Sequence, residues 1–249
     1  MKTAAYLIRC LTNLHVGKGG ANYDVVDNSV QRDVTTGLPC IFSSSLKGAL
    51  RQFCASNDLL KEDLDYIFGP RTETKKPENK KKNEGQDDKK EDKNNDKEKD
   101  NGIGHFSFFQ ANLWAFPIRS DKEARGYTLA TNANLQETIT SLANALKVKP
   151  DYPKAGVSPE AKEKEVVEEV KQLPVIARNC LENGESKNLW YEEVVPSESC
   201  FVFFVSYDDE KKFETFDKII QSKPVQIGAN GSIGYGFCSI KNISKYDEQ

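Results

Sequence analysis

Residues 72–101 limit the possible folds of this chain more than any other feature. The tract holds ten Lys against ten Asp plus Glu, and no apolar residue larger than Pro. Such a segment buries too little apolar surface to offset the entropy of ordering it, so a disordered, solvated insertion is expected. Its charges balance, so it is not a basic arm. Apolar patterning resumes on both sides, which makes the tract an insertion within one domain spanning 1–249. Any core must join residues before Thr72 to residues after Asn101.

Those two parts mix strands with helices. Ala4–Leu11 is short and apolar-rich, as a first strand would be. Gly17–Pro39 is a loop long enough to suggest function. Ser43, Ser44 and Ser45 are placed to cap a helix over Leu46–Ser56, and a second helix, Lys61–Phe68, stops at Gly69-Pro70. Ile103–Leu113 alternates as a strand does, and Asn134–Val148 has helical spacing. Val175–Leu181 and Lys187–Val195 flank Glu182-Asn183-Gly184-Glu185, and Asn-Gly between apolar runs signals a hairpin, here over 174–196. Cys200–Tyr207 reads as a strand, Lys211–Gln221 as a helix and Ile233–Ile240 as a final strand. The interleaving predicts an α+β, RRM-like (ferredoxin-like) core with its helices on one face of the sheet.

Composition narrows the function. No apolar run approaches the roughly 18 residues of a membrane span, and polar residues interrupt the N-terminus too early for a signal peptide. The six cysteines include no Cys-x-x-Cys pair, so free thiols in a reducing cytoplasm are expected. A net charge of −3 gives no support to general nucleic-acid binding, so any such site must be a local patch.

Four segments carry chemistry. His15-Val16-Gly17-Lys18-Gly19-Gly20 is either a flexible turn or a backbone able to approach a phosphate closely. Asp24-Val25-Val26-Asp27-Asn28, followed by Gln31-Arg32-Asp33, offers loop carboxylates for a divalent ion or a reacting hydroxyl, or for turn bonding alone. Ser44 and Ser45 open a helix N-terminus suited to an anion, with Lys47 and Arg51 one turn apart behind it. Gly48 weakens that helix unless something must come close to it. Gly228, Gly231, Gly234 and Gly236, with Asn230 among them, form a second glycine-rich surface.

The order of these elements resembles the RAMP superfamily of CRISPR proteins. His-Val-Gly near residue 15, Val-Asp-Asn-x-Val-x-Arg-Asp, Thr-Gly-x-Pro, Ser-Ser-Leu-Lys-Gly-Ala-Leu-Arg, Ile-Phe-Gly and a C-terminal glycine-rich loop occur in sequence. Phe116-Pro117-Ile118-Arg119-Ser120 and Leu189-Trp190-Tyr191-Glu192-Glu193-Val194-Val195-Pro196 look like the repeated backbone subunit of the Cmr (type III-B) complex. That resemblance implies copies stacked helically along a CRISPR guide RNA beside other effector subunits, cutting paired target RNA at regular intervals. It implies Asp27 as the catalytic residue and as ligand to a loosely held divalent metal, Mg or Mn. The hairpin becomes a thumb that wedges into the guide–target duplex, with Arg178 and Asn179 as contacts. Lys47, Arg51, Ser44, Ser45, Gly228, Asn230, Gly231 and Gly234 would hold RNA backbone; His15 either joins them or is structural. Gln110 departs from the acid common in relatives. Two other functions fit the same motifs: a non-catalytic backbone copy or type III-A (Csm) counterpart, and a guide-processing ribonuclease using His15 or His105.

Overall fold

The computed structural model describes residues 1–19, 26–71, 102–121, 123–153, 157–158 and 169–245. The 72–101 insertion, Gly20 and Asp24 lie outside the described residues. In chain order the elements are β1 (Lys2–Cys10), β2 (Cys40–Ile41), α1 (Ser43–Ala55), α2 (Lys61–Phe68), β3 (Ser107–Phe108), β4 (Ala111–Arg119), β5 (Tyr127–Ala130) and α3 (Ala133–Ala145). Then come β6 (Lys149–Pro150), β7 (Val157–Ser158), β8 (Val175–Glu182), β9 (Glu185–Glu193), β10 (Cys200–Tyr207), α4 (Glu210–Ser222), β11 (Val225–Gln226), β12 (Phe237–Asn242) and β13 (Ser244–Lys245).

The main sheet runs β11-β12-β1-β10-β4-β5-β7, with β2 on β4 and β3 on β10. Its pairings are antiparallel except β5 with β7. With the shorter excursions set aside, the chain runs β1-α1-β4-β10-α4-β12, and the four long strands lie in the order β12-β1-β10-β4. The fold is therefore a mixed α/β one on an antiparallel sheet.

Ala4–Ile8 of β1 are buried without alternation, because both faces of the sheet are covered. Ala4, Tyr6 and Ile8 pack with Leu46 and Leu50 of α1 and with Phe213 and Phe216 of α4. Ala5 and Leu7 face Trp114 and, on α3, Ile139 and Ala143. Helices thus lie on both faces, not one. β10 is buried at all eight positions, so the second face also carries apolar side chains that need a cover, and α3 supplies it.

Some boundaries differ from those the pattern predicts. α1 begins at Ser43 with Phe42 at its N-cap, so the serines form its first turn and do not cap it. Ile103–Leu113 divides into β3 and β4. The last long strand starts at Phe237, because Gly231–Ile233 form a 3-10 turn between Asn230 (φ 63°) and Gly234 (φ 87°). The hairpin β8–β9 turns through Asn183 (φ 54°) and Gly184 (φ 87°), two left-handed residues as a type I′ turn requires.

Candidate nucleic-acid interface

A groove of about 580 Å³ runs between α1 and the C-terminal glycine-rich loop, lined by Gly17, Ser44, Ser45, Gly48, Gln52 and Gly228 among others. The two glycine-rich segments, far apart in sequence, form one surface. The N–H of Ala229 donates to the His15 carbonyl at 2.9 Å, and that of Gly236 to the Asn13 carbonyl at 2.8 Å. This approach needs glycine at 228: its φ is +83°, and a Cβ there would lie 2.4 Å from the His15 oxygen. Buried Gln31 ties the other side together. Its amide donates to Ser45 Oγ (2.8 Å) and the Gly17 carbonyl (3.2 Å) and accepts from the Phe42 N–H (2.7 Å).

The groove's chemistry is uncharged. Ser44 and Ser45 stand at the first turn of α1, where backbone N–H groups are unpaired within the helix. Gly48 opens outward, since a Cβ there would meet nothing within 4 Å. Gly231 starts the 3-10 turn behind the Gln226 side chain, and Gly234 sits at its end in open space. Hydroxyls and N–H groups on such a surface suit phosphates and read no base.

Lys47 and Arg51 do not join this groove. The Lys47 ammonium lies 5.7 Å from the Phe108 ring centroid, and burial, then the Arg51 charge, lowers its pKa from the ordinary lysine value. Arg51 donates to Asp65 Oδ1 at 3.1 Å and to the Gly69 carbonyl. It therefore clamps α1 to α2, and a phosphate there would have to displace Asp65. The single phosphate site expected from Lys47, Arg51 and the glycine loop is divided between two flanks of α1.

A second centre forms at the hairpin base. Exposed Asp27 accepts the Tyr191 N–H on Oδ2 at 2.8 Å. Asn28 donates to the Tyr191 carbonyl (3.1 Å), and Glu193 donates from its N–H to the Asn28 carbonyl (2.9 Å). The Glu193 carboxylate takes the Val30 N–H at 3.0 Å and the Arg32 guanidinium, which also donates to the carbonyls of Gly37, Val170 and Lys171. His15 is buried, with Nδ1 2.7 Å from the Glu193 carbonyl oxygen, so Nδ1 carries a proton and donates it there. That is a structural role.

Arg178 and Asn230 meet on one carboxylate. Buried Glu192 accepts from Arg178 Nη1 (3.3 Å), Asn230 Nδ2 (3.0 Å) and Trp190 Nε1 (2.9 Å). Asn179 stays on the exposed hairpin and accepts from Ser186 Oγ at 2.9 Å. Glu192, Glu193 and Arg32 are not singled out by their spacing, because a buried carboxylate shows only once its donors are known. Gln110 donates to Asp33 Oδ2 at 3.1 Å. Burial pushes the Asp33 carboxyl up, but hydrogen bonds from the Thr36 N–H, Gln110, the Thr36 hydroxyl and the Thr35 N–H outweigh it, so its pKa lies below the usual value.

Among the described residues no three His, Cys, Asp or Glu side chains cluster as a metal cage. Asp27, with one oxygen on the Tyr191 N–H, fits a divalent ion only as one ligand among waters and phosphate oxygens, the manner in which Mg²⁺ is usually held.

The sequence model of the RAMP superfamily matches residues 7–239. The chain belongs to that superfamily. This RAMP protein is 24% identical, over an alignment of 285 residues covering 95% of each chain, to the CRISPR system Cmr endoribonuclease Cmr4 of Pyrococcus furiosus. Its fold is similar to that of a chain in the type III-B Cmr-beta complex bound to cognate target RNA (TM-score 0.66, 18% identity, 97% of both chains). It is also similar to oligomeric Cmr4 from Pyrococcus furiosus (TM-score 0.65, 18% identity, 98% and 99% of the two chains). No described helix of the RAMP protein is long and apolar enough to cross a membrane.

Proposed function

We propose that this RAMP protein is a guide-RNA-binding backbone subunit of a type III-B CRISPR complex, and that within the complex it cleaves paired target RNA. The observation that carries this reading is a juxtaposition. The glycine-rich wall of the groove is anchored on the His15 carbonyl, the Asp27 loop on residues 191–193, and the His15 ring joins the two through the Glu193 carbonyl. RNA backbone lying in the groove would receive N–H and hydroxyl donors from Ser44, Ser45 and Gly228, and would rest against the bare helix at Gly48. The strand order β12-β1-β10-β4 supports reading the core as RRM-like, with β8–β9 as the thumb.

Asp27 would face the target strand. Its free carboxylate oxygen would accept the proton of a ribose 2′-hydroxyl as that oxygen attacks the adjacent phosphorus. The bond from phosphorus to the 5′ oxygen breaks and that oxygen takes a proton from solvent, leaving a cyclic phosphate and a 5′-hydroxyl. A divalent ion, Mg or Mn, when bound with Asp27 as a ligand, would offset charge on the phosphate. Copies of the chain would stack along the guide with other effector subunits in the cytoplasm.

A second reading, a backbone copy without cleavage, is favoured by one contact. Asp27 already spends Oδ2 on the Tyr191 N–H, so its role can be wholly structural. The guide-processing ribonuclease fares worse. His15 is buried, and His105 stacks on Tyr66 at 4.0 Å beside Asp208. Co-purification tests the proposal: the chain expressed with companion subunits should retain an RNA of uniform length. Isolation free of RNA and partners would refute it.

A further inference from the structure

Two-stranded hairpins are at best marginally stable in water and have no intrinsic orientation relative to the domain that carries them. The β8–β9 hairpin is mostly exposed, so its direction must be set at its base. Among the described residues, β9 is hydrogen-bonded to segments outside the hairpin at Tyr191, Glu192 and Glu193. On one side the backbone at 191 and 193 pairs with Asn28, and the Tyr191 N–H meets Asp27. On the other side the Glu192 carboxylate gathers Arg178 from β8, Trp190 from β9 and Asn230 from the glycine-rich loop.

A buried carboxylate is a costly way to hold a strand. It must be paired and hydrogen-bonded to be tolerated, and apolar packing would stabilise as much. What the carboxylate adds is direction: three donors from three segments fix it in one orientation. Arg178 is itself held between aromatic rings, 5.9 Å from the Trp190 centroid and 5.6 Å from that of Tyr235.

We propose that Glu192 is a positioning residue for target cleavage. Through Arg178, Trp190 and Asn230 it fixes residues 191–193, and these in turn fix the Asp27 carboxylate. The inference rests on the reading of Asp27 as the cleaving residue. Hairpin and reactive loop then form one rigid unit, so whatever the hairpin does to the duplex sets the place of the carboxylate.

The test uses the assembled, guide-bound complex carrying Glu192→Ala or Glu192→Gln, with Asp27→Ala in parallel. Target affinity should match the unaltered complex, while cleavage at saturating target should fall about tenfold or more for Glu192→Ala, the scale of a small misplacement of a reacting group. Glu192→Gln keeps one acceptor oxygen and should lose less. Wild-type cleavage by Glu192→Ala beside an inactive Asp27→Ala overturns the inference alone. So does a change confined to KM. Full cleavage by Asp27→Ala overturns the reading beneath it. If Glu192→Ala fails to assemble, Glu192→Gln decides: a lower rate with unchanged target affinity supports the role, and an unchanged rate removes it.

Discussion

Replacing Gly48 with Ala should make the free chain more stable and the RNA-bound one weaker. Gly48 lies inside the 13-residue helix α1, and a Cβ at that position meets nothing within 4 Å. No clash opposes the substitution, so the gain is the intrinsic one of Ala over Gly in a helix, about 1 kcal/mol. For a chain of this size that raises Tm by about 2–4 °C. The added methyl group projects into the groove beside Ser44 and Ser45. If RNA backbone rests on the bare helix there, losing one close phosphate contact of about 1.4 kcal/mol weakens guide binding about tenfold. Thermal unfolding of the isolated chain and titration of guide RNA, each at one fixed salt concentration, measure the two halves separately. A raised Tm with unchanged guide affinity would show that RNA does not occupy this groove. A lowered Tm would show that the fold itself requires the glycine.

Arg32→Ala should cost about 2–4 kcal/mol in urea unfolding, because it strands the Glu193 carboxylate and uncovers three carbonyls. The Arg32→Ala, Glu193→Gln double variant should lose less than the sum of the two singles. Asp33 has a depressed folded-state pKa. Its contribution to stability is therefore complete above its unfolded pKa and is lost as pH falls through the lower, folded value. Asp33→Asn should accordingly flatten the acid limb of stability against pH, measured as urea midpoints.

Elements whose ends carry their own chemistry were legible in the sequence. α2 runs Lys61–Phe68 and stops at Gly69, whose φ of 86° ends a helix; β10 occupies Cys200–Tyr207; and Asn183-Gly184 turns the hairpin. What depends on contact between distant segments was not. Helical spacing puts Lys47 and Arg51 together, yet it says nothing of Asp65, which takes Arg51 for the α1–α2 packing. Serines before an apolar run look like caps whether they precede the helix or begin it. The apolar stripe of α3 was visible, but its side of the sheet depended on β1 and β10 having two apolar faces. At the candidate site, Asp27 and Arg178 were singled out by the family resemblance, and Asn230 by its place among the loop glycines. Their meeting around Glu192 and Tyr191 could not, since the partners are more than a hundred residues apart for Asp27 and joined only by the fold.

Cleavage of a guide-matched target RNA by complexes assembled with Asp27→Ala separates a cutting subunit from a scaffold. These complexes should show no cleavage at the regular intervals, with guide binding and target binding at the level of the unaltered complex. Cleavage at the normal rate and spacing would contradict the cutting role and leave Asp27 a structural anchor for the Tyr191 N–H.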